Sequence, residues 1–285
     1  MNLIAILICI VVQRFLNFGS FFNDVWFAKY LHWFLPIIQK KNKWLGLAII
    51  IAPIFLLLLI LHYILMPHFF GLLYLILSCI ILFFCIDTKD FRKYLKTYFE
   101  KPETLDEQIA KTIATKYNTI EVNYTNHEVH RAITKAILVK AFEKLFSGLF
   151  WFAILGVYGV TTYFILTLLG KIATNKQMPD LKDLTQLAYK IQQIADWLPT
   201  RILILTFAAG GQLRKTFSYL IHNFKNSYKY NEKFIIEAGL IAIDANIKNL
   251  NQATEQENHN ALNLIDRALI FWIILIGVIS LTIML

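Results

Sequence analysis

A hexapeptide at residues 196–201, DWLPTR, sets the carboxylate of Asp196 and the guanidinium of Arg201 five residues apart. Before it, residues 180–195 carry apolar side chains at helical spacing, and after it comes the apolar run 202–209. That run is too short to cross a bilayer, yet it is apolar enough to enter one. We therefore expect this acid and this base to flank a corner at or near a membrane surface.

This charged corner has two interpretations. Asp196 and Arg201 form a structural ion pair that pins the corner, or they jointly hold a polar ligand or partner. Pro199 disfavours helical backbone at the residue before it, so the first helix should end near Trp197. The apolar run then follows from Arg201.

Arg14 is a second candidate, because it lies with Gln13 and Asn17 on one face of an otherwise apolar N-terminal helix. Charge within a membrane is costly, so this face should point into the helix bundle or toward the interface. Arg14 could bind a ligand or a buried partner such as Asp196, or it could snorkel to the lipid head groups.

Aromatic residues and glycines about forty residues upstream of the hexapeptide form a third group. Trp151 and Tyr163 flank Gly156 and Gly159. Aromatic side chains in such a segment are typical of a core or of a membrane interface. Alternatively, they line a cavity between the glycine pair and Asp196, which would make Trp151 and Tyr163 binding residues.

Hydropathy indicates the class of protein. The chain is 57% hydrophobic with a mean hydropathy of +0.54, beyond what a soluble domain of 285 residues needs for its core. The sequence predicts one all-α integral-membrane domain over 1–285, with about four or five transmembrane or re-entrant segments and two long helical polar segments. The apolar segments are 2–22, 45–65, 69–86, 145–169 and 268–285, and the polar ones are 87–144 and 170–267.

The positive charges indicate the topology. Segment 13–44 holds five Lys or Arg against one acid, and the loop after Ile86 is also basic, so both should face the cytoplasm. The side of segment 170–267 depends on 145–169. A single crossing places it in the periplasm, whereas a broken or re-entrant hairpin returns it to the cytoplasm. Gly156, Gly159, Thr161 and Thr162 lie in mid-segment, which suits a break or a close helix crossing.

Several other functions are disfavoured. The excess of nine positive charges is not accompanied by an RNA-binding motif, zinc finger or heptad zipper, so no nucleic-acid partner is expected. Cys9, Cys79 and Cys85 lie in apolar blocks without pairing or metal-type spacing, which predicts buried, reduced thiols. His127 and His130 are not a His-Glu-x-x-His pair, so no metal site is expected. Nothing in the sequence indicates a cofactor.

The order of these motifs resembles the AmpE family of bacterial inner-membrane proteins. The resemblance rests on Leu149-Phe150-Trp151, the glycine pair, Tyr163 and the hexapeptide, and it is best from about residue 125 to 215. A short apolar N-terminus that ends in Gln13-Arg14-Phe15 also fits the family. The resemblance makes Trp197 a further candidate binding residue, because it matches the family motif together with its neighbours in the hexapeptide.

The family is linked to inducible β-lactamase expression and to peptidoglycan recycling alongside a muropeptide amidase. The resemblance therefore implies an inner-membrane regulatory or signalling protein without catalysis. Its expected partners are the lipid bilayer and a cell-wall fragment or a regulatory protein. A carrier or binding protein for an amphiphilic cell-wall fragment or lipid is a separate alternative.

AmpE proteins are in turn similar to the CobD/CbiB membrane synthases of cobalamin assembly, which join an amino-alcohol to a corrinoid carboxylate. Where these synthases carry acids and amides, this chain has Val139, Lys140, residues 167–170 and Gln192-Gln193. Most groups that would hold a metal-phosphate or position an amine are missing. An amide-forming synthase is thus a disfavoured alternative, and we assign no catalytic residue.

Overall fold

The computed structural model describes residues 2–15, 24–38, 41–67, 71–86, 126–175, 178–225, 227–245 and 255–284. The regular elements in these ranges are all helices, which confirms the all-α prediction. The chain divides into two compact units, Met1–Asp87 with Gly148–Asp196 and Thr88–Ser147 with Trp197–Leu285. The predicted continuation of the first helix to residue 22 and most of the predicted polar segment 87–144 lie outside the described residues.

Eleven α-helices occur in the described ranges. In chain order they are α1 (Asn2–Phe15), α2 (Asp24–Ile38), α3 (Lys43–Leu65), α4 (Leu72–Cys85), α5 (Asn126–Ala141), α6 (Ser147–Asn175), α7 (Lys182–Ala195), α8 (Trp197–Gly210), α9 (Leu213–Asn223), α10 (Asn231–Ala242) and α11 (Glu255–Met284). A π-helical turn, Phe142–Phe146, follows α5, and 3-10 turns precede α7 and α10 at Pro179–Leu181 and Tyr228–Tyr230.

The first unit is held together by apolar faces of α2, α3, α6 and α7. Its core cluster includes Phe27, Leu31, Ile50, Leu169 and Leu184, all buried. Helix α2 was not predicted, because segment 13–44 was interpreted from its basic residues only as a segment that faces the cytoplasm. Its apolar side chains nevertheless recur at helical spacing and supply three buried members of this core, Phe27, Leu31 and Ile38.

Three helical segments in the described part are long and apolar enough to cross a membrane: Lys43–Leu65, His130–Thr174 and Gln256–Val278. They overlap the predicted apolar segments 45–65, 145–169 and 268–285. Helix α4 is also strongly apolar but has only 14 residues. The protein is therefore a membrane protein by the length and composition of its helices.

The long apolar run is broken at Gly156, one of the residues that suited a break or a close helix crossing. Gly156 has φ 61° and ψ −144°, a conformation that favours glycine. A Cβ added at Gly159 would lie 2.4 Å from the main-chain oxygen of Trp151. In an uninterrupted helix, eight residues rise about 12 Å. The chain therefore reverses direction at Gly156, and α6 consists of two arms that pack against each other.

The second unit is built around α8, which contacts α9, α10 and α11. Ile204 of α8 packs with Leu220 of α9 and with Phe234 and Ala238 of α10. Helix α5 contacts both α10 and α11. This unit contains the Gln256–Val278 candidate span.

The corner predicted at the hexapeptide is a single residue. Helix α7 ends at Ala195, Asp196 forms the turn, and α8 begins at Trp197. The predicted helix end near Trp197 is thus confirmed to within two residues. The second helix starts earlier than expected, because Pro199 lies in the first turn of α8, where an N–H has no intrahelical acceptor to lose.

Candidate functional site

Asp196 is buried and hydrogen-bonded to Tyr163. The Tyr163 hydroxyl donates to Oδ1 of Asp196 over 2.8 Å, and the two residues are only 5% and 6% exposed. The main-chain N–H of Asp196 also closes the end of α7 by donating to the oxygen of Gln192. A carboxylate that accepts a hydroxyl hydrogen bond away from water is held in one orientation.

The approach of α7 to the second arm of α6 depends on a glycine. A Cβ added at Gly170 would lie 2.5 Å from Oε1 of Gln192 and 3.4 Å from the Tyr189 ring. Tyr163 lies two helical turns before Gly170, and Asp196 lies one turn after Gln192, so the two helices meet in opposite directions. This packing places the tyrosine hydroxyl against the carboxylate.

Arg201 occupies a buried position in α8 within the second unit. Its Nη1 donates to the oxygen of Trp197 over 3.1 Å and to Oδ1 of Asn231 over 2.6 Å. The guanidinium carbon lies 4.5 Å from the centre of the Trp197 ring and 5.0 Å from that of Phe234. Burial lowers the pKa of Arg201 to about 10, so the side chain remains a cation at neutral pH.

Trp197 therefore has a defined role in the site. Its ring supports the Arg201 guanidinium on one side, and desolvated cation–π contacts of this kind contribute about 2 kcal/mol. The same ring meets Phe224 edge-on, with centroids 5.7 Å apart and an interplanar angle of 76°. Trp197 thus links the cation to the residue that follows α9.

For each of the two charged residues, the partners described above all lie in the same unit as that residue. Asp196 is held by Tyr163 in the first unit, whereas Arg201 is held by Asn231, Trp197 and Phe234 in the second. The direct pairing of Asp196 with Arg201 remains a prediction. So does the joint binding of a ligand by the two charges.

Trp151 lies at the reversal of α6. Its ring meets Phe150 edge-on, with centroids 5.2 Å apart. Its Nε1 is buried and has no hydrogen-bond acceptor among the described residues. The indole N–H of Trp151 is thus a hydrogen-bond donor inside an apolar hairpin, next to Gly159. The cavity predicted between Trp151, Tyr163 and Asp196 remains a prediction.

Arg14 lies in α1, one residue before the helix ends. Its side chain is outside the described part of the chain. The choice between a ligand, a buried partner and lipid head groups therefore remains open.

A buried polar layer between α5 and α11 was missed by the sequence reasoning. Nη2 of Arg131 lies 3.3 Å from Oε1 of Glu257. Thr134 Oγ1 donates to Oδ1 of Asn258 over 2.6 Å, and Nδ2 of Asn258 lies 3.4 Å from Nδ1 of His130. Both helices are rich in polar residues in this region, so helical spacing alone did not single out these residues.

Potential ligand sites elsewhere do not include the predicted residues. A cavity of about 480 Å³ in the second unit is lined by Arg131, Lys135, Lys229, Glu232, Lys233, Ile236, Glu237 and Leu240. One of about 530 Å³ in the first unit is lined by Ile38, Lys41, Asn42, Lys43, Asp180, Leu181, Lys182, Asp183 and Leu184. The described residues contain no group of three or more His, Cys, Asp or Glu that could hold a metal ion.

Comparison with known proteins gives one match. The family model described as "Regulatory signalling modulator protein AmpE" matches residues 1–221. The matched range contains Arg14, Trp151, Tyr163 and the whole hexapeptide, and it ends within α9, before Asn231. No curated protein and no solved structure matches the chain.

Proposed function

The chain belongs to the AmpE family of regulatory signalling modulators, and we propose that it modulates β-lactamase induction in response to peptidoglycan recycling. The observation that carries this proposal is the burial of both charged side chains of the hexapeptide. Both of its charged side chains are buried and fixed by polar partners, Tyr163 for Asp196 and Asn231 for Arg201. Removing a charge from water costs free energy, and charges that are retained within a membrane protein despite this are typical of functional positions.

The proposed location is the bacterial inner membrane, which the chain crosses more than once. The apolar lengths of Lys43–Leu65 and Gln256–Val278 support this proposal. The reversal at Gly156 supports a hairpin, which would return the hexapeptide and the helices after it to the cytoplasmic side. A regulator of gene expression would meet its signal and its partners on that side.

Reporter fusions test this topology. Fusions after Lys43, Asn118 and Asn223 should report cytoplasm, and one after Pro67 should report periplasm. A periplasmic signal at Asn223 together with a cytoplasmic one at Asn118 would refute the hairpin. The cytoplasmic position of the hexapeptide would be refuted with it.

The synthase alternative is disfavoured by the packing of α6 on α7. The CobD/CbiB resemblance would place acids at Gly170 and near Gln192, and these two positions lie side by side. Here both are uncharged, so this pair supplies no carboxylate to a metal ion that would hold a phosphate. Purified protein with magnesium and ATP should therefore form no amide between an amino-alcohol phosphate and a corrinoid acid. Turnover above a heat-killed control would reverse this conclusion.

Binding of an amphiphilic cell-wall fragment is the second candidate. The observation that favours it is the buried Nε1 of Trp151, which has no acceptor among the described residues and lies inside an apolar hairpin. An amphiphile would supply an acceptor and apolar contacts together. Mass spectrometry of small molecules that co-purify in mild detergent tests this binding, and the signal of such a molecule should fall in Trp151→Phe.

The regulatory proposal is tested by removing the two charges. Asp196→Asn, Arg201→Gln and the double variant should reach the membrane in normal amounts but lose the effect on β-lactamase induction, measured by hydrolysis of a chromogenic cephalosporin. Lys233→Gln and Asp244→Asn are matched controls, because each removes a charge from an exposed ion pair, of 3.8 Å and 2.6 Å respectively. Equal loss of protein level and induction in all three site variants would show that the charges only brace the fold.

A further inference from the structure

Helix α9 has an apolar stripe that the protein covers only in part. On its inner side, Thr216 and Leu220 are buried in the second unit. On its outer side is a row of large apolar residues that remain 44–62% exposed. This row consists of Leu213, Phe217, Ile221 and Phe224. Spacings of four, four and three residues place its members on one side of a helix.

The depth of α9 relative to the membrane follows from the contact between α11 and the end of α8, the helix that precedes α9. Arg267 is the last charged residue of the chain, and residues 268–285 contain none. Its Nη1 donates to the oxygen of Gly210 over 2.9 Å. Helix α9 begins three residues later, at Leu213. It therefore starts at the level where α11 changes from polar to uncharged sequence.

The exposed apolar face of α11 begins after Arg267 and continues toward the C-terminal end of the helix. Ile270, Ile274 and Val278 recur every four residues and are 55–58% exposed. Such a row on a candidate membrane span is the surface that contacts lipid tails. The exposed row of α9 thus begins near the membrane boundary of the same unit.

The charges around α9 favour an anionic partner. From Trp197 to Asn231 the chain contains no Asp or Glu, but it contains five Lys or Arg. Three of them, Arg214, Lys215 and Lys225, lie in or directly after α9 and are exposed, and Lys215 also pairs with Asp244 over 2.6 Å. A helix with one apolar face and a basic remainder is the pattern of interfacial membrane helices.

We propose that α9 lies in the plane of the membrane surface, with Leu213, Phe217, Ile221 and Phe224 among the acyl chains and its basic residues on anionic lipid head groups. The occupant of this face is the bilayer in which α11 is embedded. The surface lies outside the hexapeptide, although its Phe224 contacts Trp197, and the proposal goes beyond the regulatory function proposed above.

Nitroxide labels on α9 test this placement in the full chain. Cys9, Cys79 and Cys85 are first replaced by alanine, and the protein is reconstituted in nanodiscs of phosphatidylcholine and phosphatidylglycerol. Labels at Phe217→Cys and Ile221→Cys should be more accessible to oxygen than to a water-soluble nickel chelate. Labels at Lys215→Cys and His222→Cys, on exposed positions of the same helix, are the matched controls and should show the reverse order.

Two results would overturn the proposal. Equal access of the nickel chelate at all four positions would place the row in water, and shielding of Phe217→Cys and Ile221→Cys from both reagents would mean that protein covers it. Omitting phosphatidylglycerol should shift both labels toward the nickel chelate, because the basic residues lose their partners. An unchanged ratio would refute the role of anionic lipid. Elution volume on size exclusion confirms that each variant is folded.

Discussion

Replacement of Tyr163 by phenylalanine is the sharpest test of the buried bond to Asp196. The change removes one hydroxyl and keeps the ring in the core. A hydrogen bond to a charged group contributes about 1.5–3 kcal/mol. Because the two residues are only 5% and 6% exposed, water cannot easily replace the lost donor. At about 2–4 °C per kcal/mol, a loss of about 2 kcal/mol should lower the Tm by about 4–8 °C.

Tyr158→Phe is the matched control. Tyr158 lies five residues earlier on the same arm of α6, and its ring packs against Phe55 with centroids 4.9 Å apart. Its hydroxyl makes no hydrogen bond to any of the described residues. The control should therefore change the free energy of unfolding by less than about 0.5 kcal/mol. Thermal unfolding in detergent, followed by size exclusion of the remaining soluble protein, measures both variants.

A double-mutant cycle separates the bond from the general cost of each change. The cycle compares Tyr163→Phe, Asp196→Ala and the double variant. The coupling free energy should be about 1.5–3 kcal/mol, because each single change already breaks the same bond. Additivity within about 0.5 kcal/mol would refute a direct interaction between the two side chains. A Tm loss in Tyr158→Phe equal to that in Tyr163→Phe would refute the reasoning about hydroxyl burial.

Three further predictions concern packing and buried charge. Gly159→Ala should lower the free energy of unfolding by more than about 2 kcal/mol, because the added Cβ would clash with a main-chain oxygen of the first arm. The control, Gly277→Ala, has open space around the added Cβ and should be neutral or stabilising. Equal Tm changes in the two variants would contradict the reversal of α6. Arg131→Met and Glu257→Met should each lower stability by about 3–5 kcal/mol, and the double variant should recover much of it in the same thermal assay. Arg201→Lys should cost about 1–3 kcal/mol, since lysine keeps the charge but loses the planar stack, and an unchanged Tm would contradict this.

The features that could be predicted from sequence are those set by local composition. Uncharged segments of bilayer length predicted the candidate spans, and α3 matches its prediction closely. The glycines in the middle of 145–169 predicted a break, which lies at Gly156. The end of α7 was predicted to within two residues, but Pro199 is not its cause, because Leu198 before the proline is helical in α8. Each of these depends on the residue itself or on its nearest neighbours.

The partners of the candidate residues could not be predicted in the same way. Tyr163 and Asp196 are 33 residues apart, and their contact depends on how α7 packs on the second arm of α6. Asn231 is 30 residues from Arg201 and became its partner because α8 and α10 pack together. Spacing in sequence does not specify which faces of distant helices meet. Composition therefore located the charged residues but not their partners.

The contacts of Trp197 connect the hexapeptide to the helix that we place on the lipid surface. Its ring carries the Arg201 guanidinium at 4.5 Å and meets Phe224 at 5.7 Å. Phe224 also belongs to the exposed apolar row of α9. If lipid holds this row, then moving α9 out of the membrane would draw Phe224 from Trp197 and weaken the support of a buried cation. Trp197 would thus couple the position of α9 in the membrane to the stability of the Arg201 cation.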